Sequence, residues 1–272
     1  MASLEPPALR APGELGAGGA PGALRPSIAA NHSSAYTARM DFETSTSLAH
    51  TAPLLRRWNA RILGNRPISP TAYEMTISRE GTPFGAGQLI TLHGRELYED
   101  RNYTIASGEH DDFLQVLYRV IPSGVLTPQL VKMPVGADIA VSAPCGEFVL
   151  RDRNRPIVFI ATGTGIAPCR AYSRTHPDLN LTVLHGVRTM EDLFYRDEFA
   201  RRPYHPCLSA DDRLGLKGRV TDFSKNFTFP EGAHFYLCGA NEMFYEMRDI
   251  LRDKGVPQSD IFTEAYYYSY ES

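Results

Sequence analysis

An arginine, an aromatic ring and a hydroxyl follow one another closely in Arg101-Asn102-Tyr103-Thr104. On an extended segment alternate side chains share a face, so Arg101 and Tyr103 point one way and Thr104 the other. A guanidinium grips a phosphate through paired hydrogen bonds, and a neighbouring ring covers a flat heterocycle. The hydroxyl suits the polar edge of that heterocycle. Taken alone, the run also reads as an ordinary half-buried strand with a surface arginine.

Three further stretches combine residue types that bind or react. Thr162-Gly163-Thr164-Gly165-Ile166-Ala167-Pro168 joins an apolar run to a helical pattern. Its glycines permit a tight turn and a close ligand approach, and Pro168 suits a first helical position. The helix amino terminus then offers free N–H groups to a diphosphate. This is not the Gly-x-Gly-x-x-Gly dinucleotide fingerprint, and a purely structural turn stays open. Gly124-Val125-Leu126-Thr127 offers free amides and a hydroxyl to a pyrophosphate, or forms a plain turn. Cys238-Gly239-Ala240-Asn241-Glu242-Met243 begins at the carboxyl end of a strand pattern, where doubly wound sheets bind ligands. For Cys238 the alternative is a small apolar packing residue.

Two kinds of scaffold are expected around these residues. Short strand-like runs cover residues 58–63, 72–77, 87–92, 103–107, 113–121, 138–141 and 148–150, separated by Gly, Pro, Ser and Asn. Such spacing predicts an antiparallel β-barrel. Beyond Arg151-Asp152-Arg153-Asn154-Arg155 the texture changes. Residues 156–161 form a continuous apolar run, the mark of a strand covered on both faces. Strand patterns at 179–184 and 234–237 alternate with helical ones, the clearest placing Met243, Met247, Ile250 and Leu251 on one face with Gly255 as the stop. The alternation predicts an α/β domain with a doubly wound parallel sheet. The expected division is a tail over 1–52, a barrel domain over 53–152 and an α/β domain over 153–272.

The bulk composition is that of a soluble globular protein, 43% hydrophobic and 22% charged, with no apolar run near the roughly 18 residues of a membrane span. A net charge of −3 gives no global argument for nucleic acid or an anionic membrane. Of the first 30 residues 18 are Ala, Gly or Pro, too little apolar surface to offset ordering entropy, hence the expected tail. Cys145, Cys169, Cys207 and Cys238 have no metal-ligand spacing, so no metal site is expected. With no secretory signal pattern they read as reduced thiols of a cytoplasmic protein.

Taken together, the motifs resemble the ferredoxin–NADP reductase family over about residues 57–268. RNYTIAS matches its Arg-x-Tyr-Ser/Thr flavin motif, GVLT its second flavin motif in the bacterial form, and GTGIAP its nicotinamide-dinucleotide loop. The resemblance implies FAD, with Arg101 on its phosphates and Tyr103 against the isoalloxazine ring. Thr127 and nearby amides would hold the pyrophosphate, in a set that takes in Asn102, Thr104, Val120, Gly124 and Leu126. Thr162, Gly163, Thr164 and Gly165 would hold the nicotinamide dinucleotide, with Gly239 and Met243 of the Cys-Gly-x-x-x-Met motif. Cys238 would lie beside the nicotinamide, and Glu264 with Thr104 near flavin N5; these three are the implied catalytic residues. Tyr266 would stack on the flavin, with Tyr267, Tyr268 and Tyr270 as alternatives.

The end of the run His185-Gly186-Val187-Arg188, followed by Leu193-Phe194-Tyr195, resembles the segment that holds the adenosine ribose. Arg188 and Arg219 would take a 2′-phosphate, which implies NADP. Ser209-Ala210-Asp211-Asp212 departs from the family's Ser-Arg-Glu, and that leaves NAD open. The implied activity is hydride exchange between NADP(H) and FAD, with single electrons passing to a separate ferredoxin or flavodoxin. The alternatives are an NADH-dependent reductase component of an oxygenase system and a non-catalytic flavin-binding regulator. Arginines 56, 57, 61 and 66 form a candidate patch for an acidic carrier.

Overall fold

The computed structural model describes residues 57–93, 100–213 and 217–266. All belong to one compact unit, Ser47–Ser272. The expected tail over 1–52, Arg56, and tyrosines 267, 268 and 270 lie outside the described residues.

The first half is a six-stranded antiparallel sheet: β1 (Arg57–Pro67), β2 (Ala72–Ser78), β3 (Leu89–His93), β4 (Arg101–Thr104), β5 (Phe113–Arg119) and β6 (Asp138–Ser142), in the order β4-β3-β6-β1-β2-β5. Alternation builds its core. Along β1, Ala60 and Ile62 are buried while Arg57, Asn59 and Arg61 face water, as expected of a sheet with one wet face. Ile62, Met75, Ile77, Ile90, Leu92 and Leu114 meet inside. The sheet nearly closes into a barrel. Its two edge strands meet just past β4, where Ile105 bridges Val116 and the Ala106 N–H donates to the Gln115 carbonyl at 2.7 Å. A short helix, α1 (Leu126–Lys132), follows β5 and packs Leu126 and Leu130 against the same core.

The second half is a parallel sheet of β7 (Ile157–Thr162), β8 (Leu181–Val187), β9 (Tyr204–Leu208), β10 (His234–Ala240) and β11 (Ile261–Tyr266), in the order β11-β10-β7-β8-β9. Helices α2 (Ala167–Thr175), α3 (Val220–Asn226) and α4 (Asn241–Asp253) complete it. β7 lies at the centre, and its residues 157–161 are buried on both faces. Phe159, Tyr172 and Tyr236 form one side of the core with Phe148. Val158, Ile160, Met243, Met247 and Leu251 form the other. α4 ends as its sequence foretells: Gly255 takes φ 79°, and the Val256 N–H donates to the Leu251 carbonyl.

One local expectation changes, and one strand was not expected. Phe148-Val149-Leu150 is not a strand. The Phe148 carbonyl instead accepts a hydrogen bond from the Tyr172 hydroxyl at 2.5 Å, and its ring sits among Phe159, Tyr172 and Tyr236, so a tertiary contact replaces a ladder. β9 carries no clear strand pattern in Tyr-His-Pro-Cys-Leu. It is an edge strand, where Pro206 has no outer partner to deprive of a donor.

Candidate functional site

The two sheets meet where Thr104 ends β4 and Glu264 lies in β11. The Thr104 hydroxyl donates to Glu264 Oε2 at 2.7 Å, across 160 residues of sequence. Cys238 Sγ lies 3.9 Å from the same oxygen. Register explains the second contact: β11 pairs parallel to β10 with Cys238 opposite Glu264. Thr104 and Cys238 are buried. Burial pushes the Glu264 carboxyl up to about 7, against the opposing hydrogen bonds from Thr104 and Cys238. At neutral pH this carboxyl both gives and takes a proton readily.

The strand ends behind this trio pack backbone against backbone. A Cβ on Gly165 would stand 2.2 Å from the Cys238 carbonyl oxygen, and one on Gly239 would stand 2.0 Å from Thr162 Oγ1. Gly239 also takes φ 140°, a conformation that favours glycine. The Thr162 hydroxyl accepts from the Ala240 N–H at 2.9 Å. The turn after β7 is a 3-10 helix over Gly163–Ile166, and Pro168 falls in the first turn of α2. Below it lies His185, fully buried, one ring nitrogen 2.9 Å from the Gly163 carbonyl and the other 3.0 Å from the Tyr204 hydroxyl. Since the carbonyl only accepts, Nε2 carries the hydrogen and Nδ1 accepts from the phenol. Burial lowers the His185 pKa to about 4, so the ring is neutral and props the loop.

On the barrel side β4 is an edge strand. Arg101 and Asn102 are exposed, and Tyr103 is half-buried with its ring edge-on to Tyr118 at 6.2 Å. Val120 packs on the barrel core. The Gly124 N–H closes a turn onto the Ile121 carbonyl, and the Thr127 hydroxyl accepts from the Ile121 N–H at 2.9 Å.

Residues 72–150 match the oxidoreductase FAD-binding domain, and residues 159–249 match the oxidoreductase NAD-binding domain. Together the two cover more than half of the chain, which belongs to the family of oxidoreductases built from these FAD-binding and NAD-binding domains. It is a flavoprotein oxidoreductase of that family. The electron transfer component of toluate 1,2-dioxygenase from Pseudomonas putida is 28% identical over 229 residues, 77% of this chain and 67% of that protein. One component chain of the Na(+)-translocating NADH-quinone reductase of Haemophilus influenzae is 27% identical over 166 residues. That alignment covers 53% of this chain and 40% of the relative, so the chain spans about two fifths of such relatives. Among solved structures, the Amycolatopsis cytochrome P450 reductase superposes with TM-score 0.70 and 25% identity, over 77% of this chain and 69% of that one. The ferredoxin NADP+ reductase of Neisseria gonorrhoeae, with FAD and NADP bound, gives TM-score 0.68 and 23% identity, over 78% and 99%.

The family's two sheets therefore bring Thr104, Cys238 and Glu264 into contact. The other implied residues lie on several elements. Met243 is buried in the core beneath α4. Tyr266 ends β11, its backbone opposite Ala240. Arg188 is exposed at the end of β8, and Arg219 is exposed with its guanidinium 3.4 Å from Glu246. Phe194 is buried in the core and Tyr195 packs under Arg170, so both turn inward from the surface. Asp211, after β9, accepts from the Met190 N–H and from Arg213, whose guanidinium also reaches Glu191 at 2.8 Å. Arg213 holds the Asp211 carboxyl well below its usual range, and the Glu191 carboxyl below its own. Arg213 had no motif to announce it, and His185 fell in the run read for the adenosine ribose rather than as a prop for the loop. A histidine in an apolar strand and an arginine in a polar loop are each too common to single out.

Proposed function

We propose that this chain is a FAD-dependent reductase that takes hydride from a reduced nicotinamide dinucleotide and passes single electrons to a separate ferredoxin- or flavodoxin-type carrier. The observation that carries the reading is the Thr104–Glu264–Cys238 contact, since it joins a flavin-barrel residue to two residues of the nucleotide sheet. The donor set fits the flavin: an exposed arginine, a half-buried tyrosine and a buried hydroxyl lie on one barrel edge strand. When bound, FAD supplies two-electron acceptance and one-electron release. Arg101 would grip its phosphates and Tyr103 cover its ring, with the amides after Gly124 and the first turn of α1 on the pyrophosphate. Thr104 and Cys238 would shape the slot for the nicotinamide, and Glu264 would hold or release a proton beside it. Tyr266 would cover the flavin until the coenzyme enters. The functional division would fall near residue 152, with 53–152 for the flavin and 153–272 for the coenzyme.

For the coenzyme, NADH is the reading that the charges favour. In this arrangement the adenosine ribose would lie near the ends of β8 and β9. A 2′-phosphate there would meet Asp211 and Glu191, both ionised and both already holding Arg213. Arg188 and Arg219 are the residues that would serve NADPH instead. Steady-state kinetics of the FAD-loaded protein with each coenzyme tests this, and kcat/KM at least about tenfold higher for NADH is expected. The reverse ranking would overturn the coenzyme assignment. Failure of both coenzymes to reduce bound FAD would overturn the reductase reading.

The carrier surface draws less support from the β1 arginines. Arg57 lies 3.6 Å from Asp100, Arg61 3.8 Å from Asp138 and Arg66 2.8 Å from Glu74, so each faces a carboxylate. The alternative of a reductase component for an oxygenase rests on the toluate dioxygenase relative. Carrier choice in the same assay separates the two.

A further inference from the structure

One buried charged cluster plays no part in the chemistry above. Arg170 lies in α2, two residues after Pro168, and is 5% exposed. Its Nε donates to both Glu198 oxygens, at 2.9 and 3.0 Å. Its Nη1 donates to the Ala106 carbonyl at 3.2 Å and to Gln115 Oε1 at 2.8 Å, and lies 3.7 Å from Glu74 Oε2. Its guanidinium carbon sits 4.1 Å from the centre of the Tyr195 ring. Glu74, Ala106 and Gln115 belong to the barrel; Tyr195 and Glu198 belong to the parallel-sheet half. A single guanidinium thus spans the seam.

Its two ends lead directly to the site. Ala106 is two residues beyond Thr104, in the stretch that closes the barrel. In the other direction, Arg170 is five residues beyond Gly165, which lies so close to the Cys238 carbonyl that no side chain fits between them. Fixing Arg170 against Ala106 and Gln115 therefore fixes the α2 end of the loop, and Cys238 with it, relative to Thr104. A planar fork with five donors meets several acceptors in set directions, which an ammonium on a flexible stem does not. Buried charges contribute little net stability, and their best-attested use is to set register. Glu74 is 2% exposed and bonded on its other oxygen by Arg66 at 2.8 Å, so the barrel side of the cluster is itself held.

We propose that Arg170 is a positioning residue that sets the angle between the barrel and the parallel sheet, and so the alignment of Thr104 with Cys238. Its kinetic consequence rests on the reductase reading; the seam itself does not. The test compares Arg170→Met, Arg170→Lys and the double variant Glu74→Gln/Arg170→Met in the full chain, with Arg174→Gln as control. Arg174 makes a more exposed pair across the same seam, with Asp111 at 3.0 Å. In FAD-loaded protein kcat is expected to fall at least about tenfold in all three Arg170 variants, with KM within about twofold, because small misalignments cost rate rather than binding. The double variant is expected to regain stability but not kcat, and the control to keep both. In protein without FAD or coenzyme, amide hydrogen exchange at residues 105–108 and 113–116 is expected to quicken at least about tenfold in Arg170→Met, with β7 and β10 unchanged. Recovery of kcat together with stability in the double variant would overturn the proposal, as would unchanged exchange at the seam. A wild-type flavin that neither coenzyme reduces would sink the reductase reading instead, and the exchange measurement would still judge the seam.

Discussion

Glu264 behaves unlike an ordinary exposed carboxyl. Its carboxyl is pushed up to about 7 by burial, so between pH 4.5 and 7 the folded chain binds a proton that the unfolded chain has lost. Its contribution therefore falls as pH rises through that window. His185 has the opposite sign. With its pKa lowered to about 4, it costs stability as pH drops from 6.5 towards 4, when the unfolded ring charges and the buried one does not. The two slopes oppose each other between pH 4.5 and 6.5. Glu264→Gln removes one of them. Relative to wild type, that variant is expected to gain about 3 kcal/mol as pH climbs from 4.5 to above 7. Urea unfolding along a pH series reads this, and a difference that stays flat would mean that Glu264 titrates like a surface carboxyl. Thr104→Val withdraws the hydroxyl that donates at 2.7 Å, so Glu264 is expected to titrate higher still, seen by NMR of labelled glutamate. At this scale the sequence was legible through motifs. RNYT and CGANEM named Thr104 and Cys238, and the family resemblance named Glu264, but no motif disclosed the shared oxygen. That contact depends on β10–β11 register, which no local pattern encodes.

The elements that carry these residues tolerate little change where they cross. Gly165→Ala and Gly239→Ala each drive a methyl into backbone or Thr162 at about 2 Å, and at Gly239 the φ of 140° adds backbone strain. Each is expected to cost about 2–4 kcal/mol and to displace Cys238 from Glu264, whereas Gly136→Ala, which meets open space and only the strain of its φ of 88°, is expected to cost less. Chemical denaturation of the three variants checks the order. The sequence marked Gly163 and Gly165 as a ligand-approach turn, but the close approach that Gly165 permits is to the chain's own β10. The barrel strands and β7 were readable because alternation and continuous apolar runs are local signals. β9 was not, because a five-residue edge strand with Pro206 lacks both. Phe148 was misread because an apolar tripeptide looks like a strand until Tyr172 takes its carbonyl.

Across the whole molecule, the seam between the halves is polar and specific. Asp192 accepts from Ser69 at 3.1 Å and lies 3.3 Å from Arg119, and Arg174 meets Asp111, beside the Arg170 cluster. The two-domain plan was legible from the change of texture near residue 152. The seam was not, since its arginines and carboxylates read as solvated faces until the two sheets are set together. The proposed coenzyme choice belongs to this scale too, because it would rest on β8, β9 and the loop after Met190 together. Asp211→Ala is expected to raise the NADPH-to-NADH ratio of kcat/KM by about tenfold by removing a repulsive charge and leaving Arg213 with Glu191 as its remaining carboxylate. An unchanged ratio would place the selectivity elsewhere. The most direct test of the account is anaerobic mixing of the FAD-loaded protein with NADH and, separately, NADPH, following the flavin absorbance. Prompt bleaching, slowed at least about tenfold by Thr104→Val, is the expected result. A flavin that binds yet stays oxidised with both coenzymes would contradict the claim that the Thr104–Glu264–Cys238 contact is a hydride-transfer site.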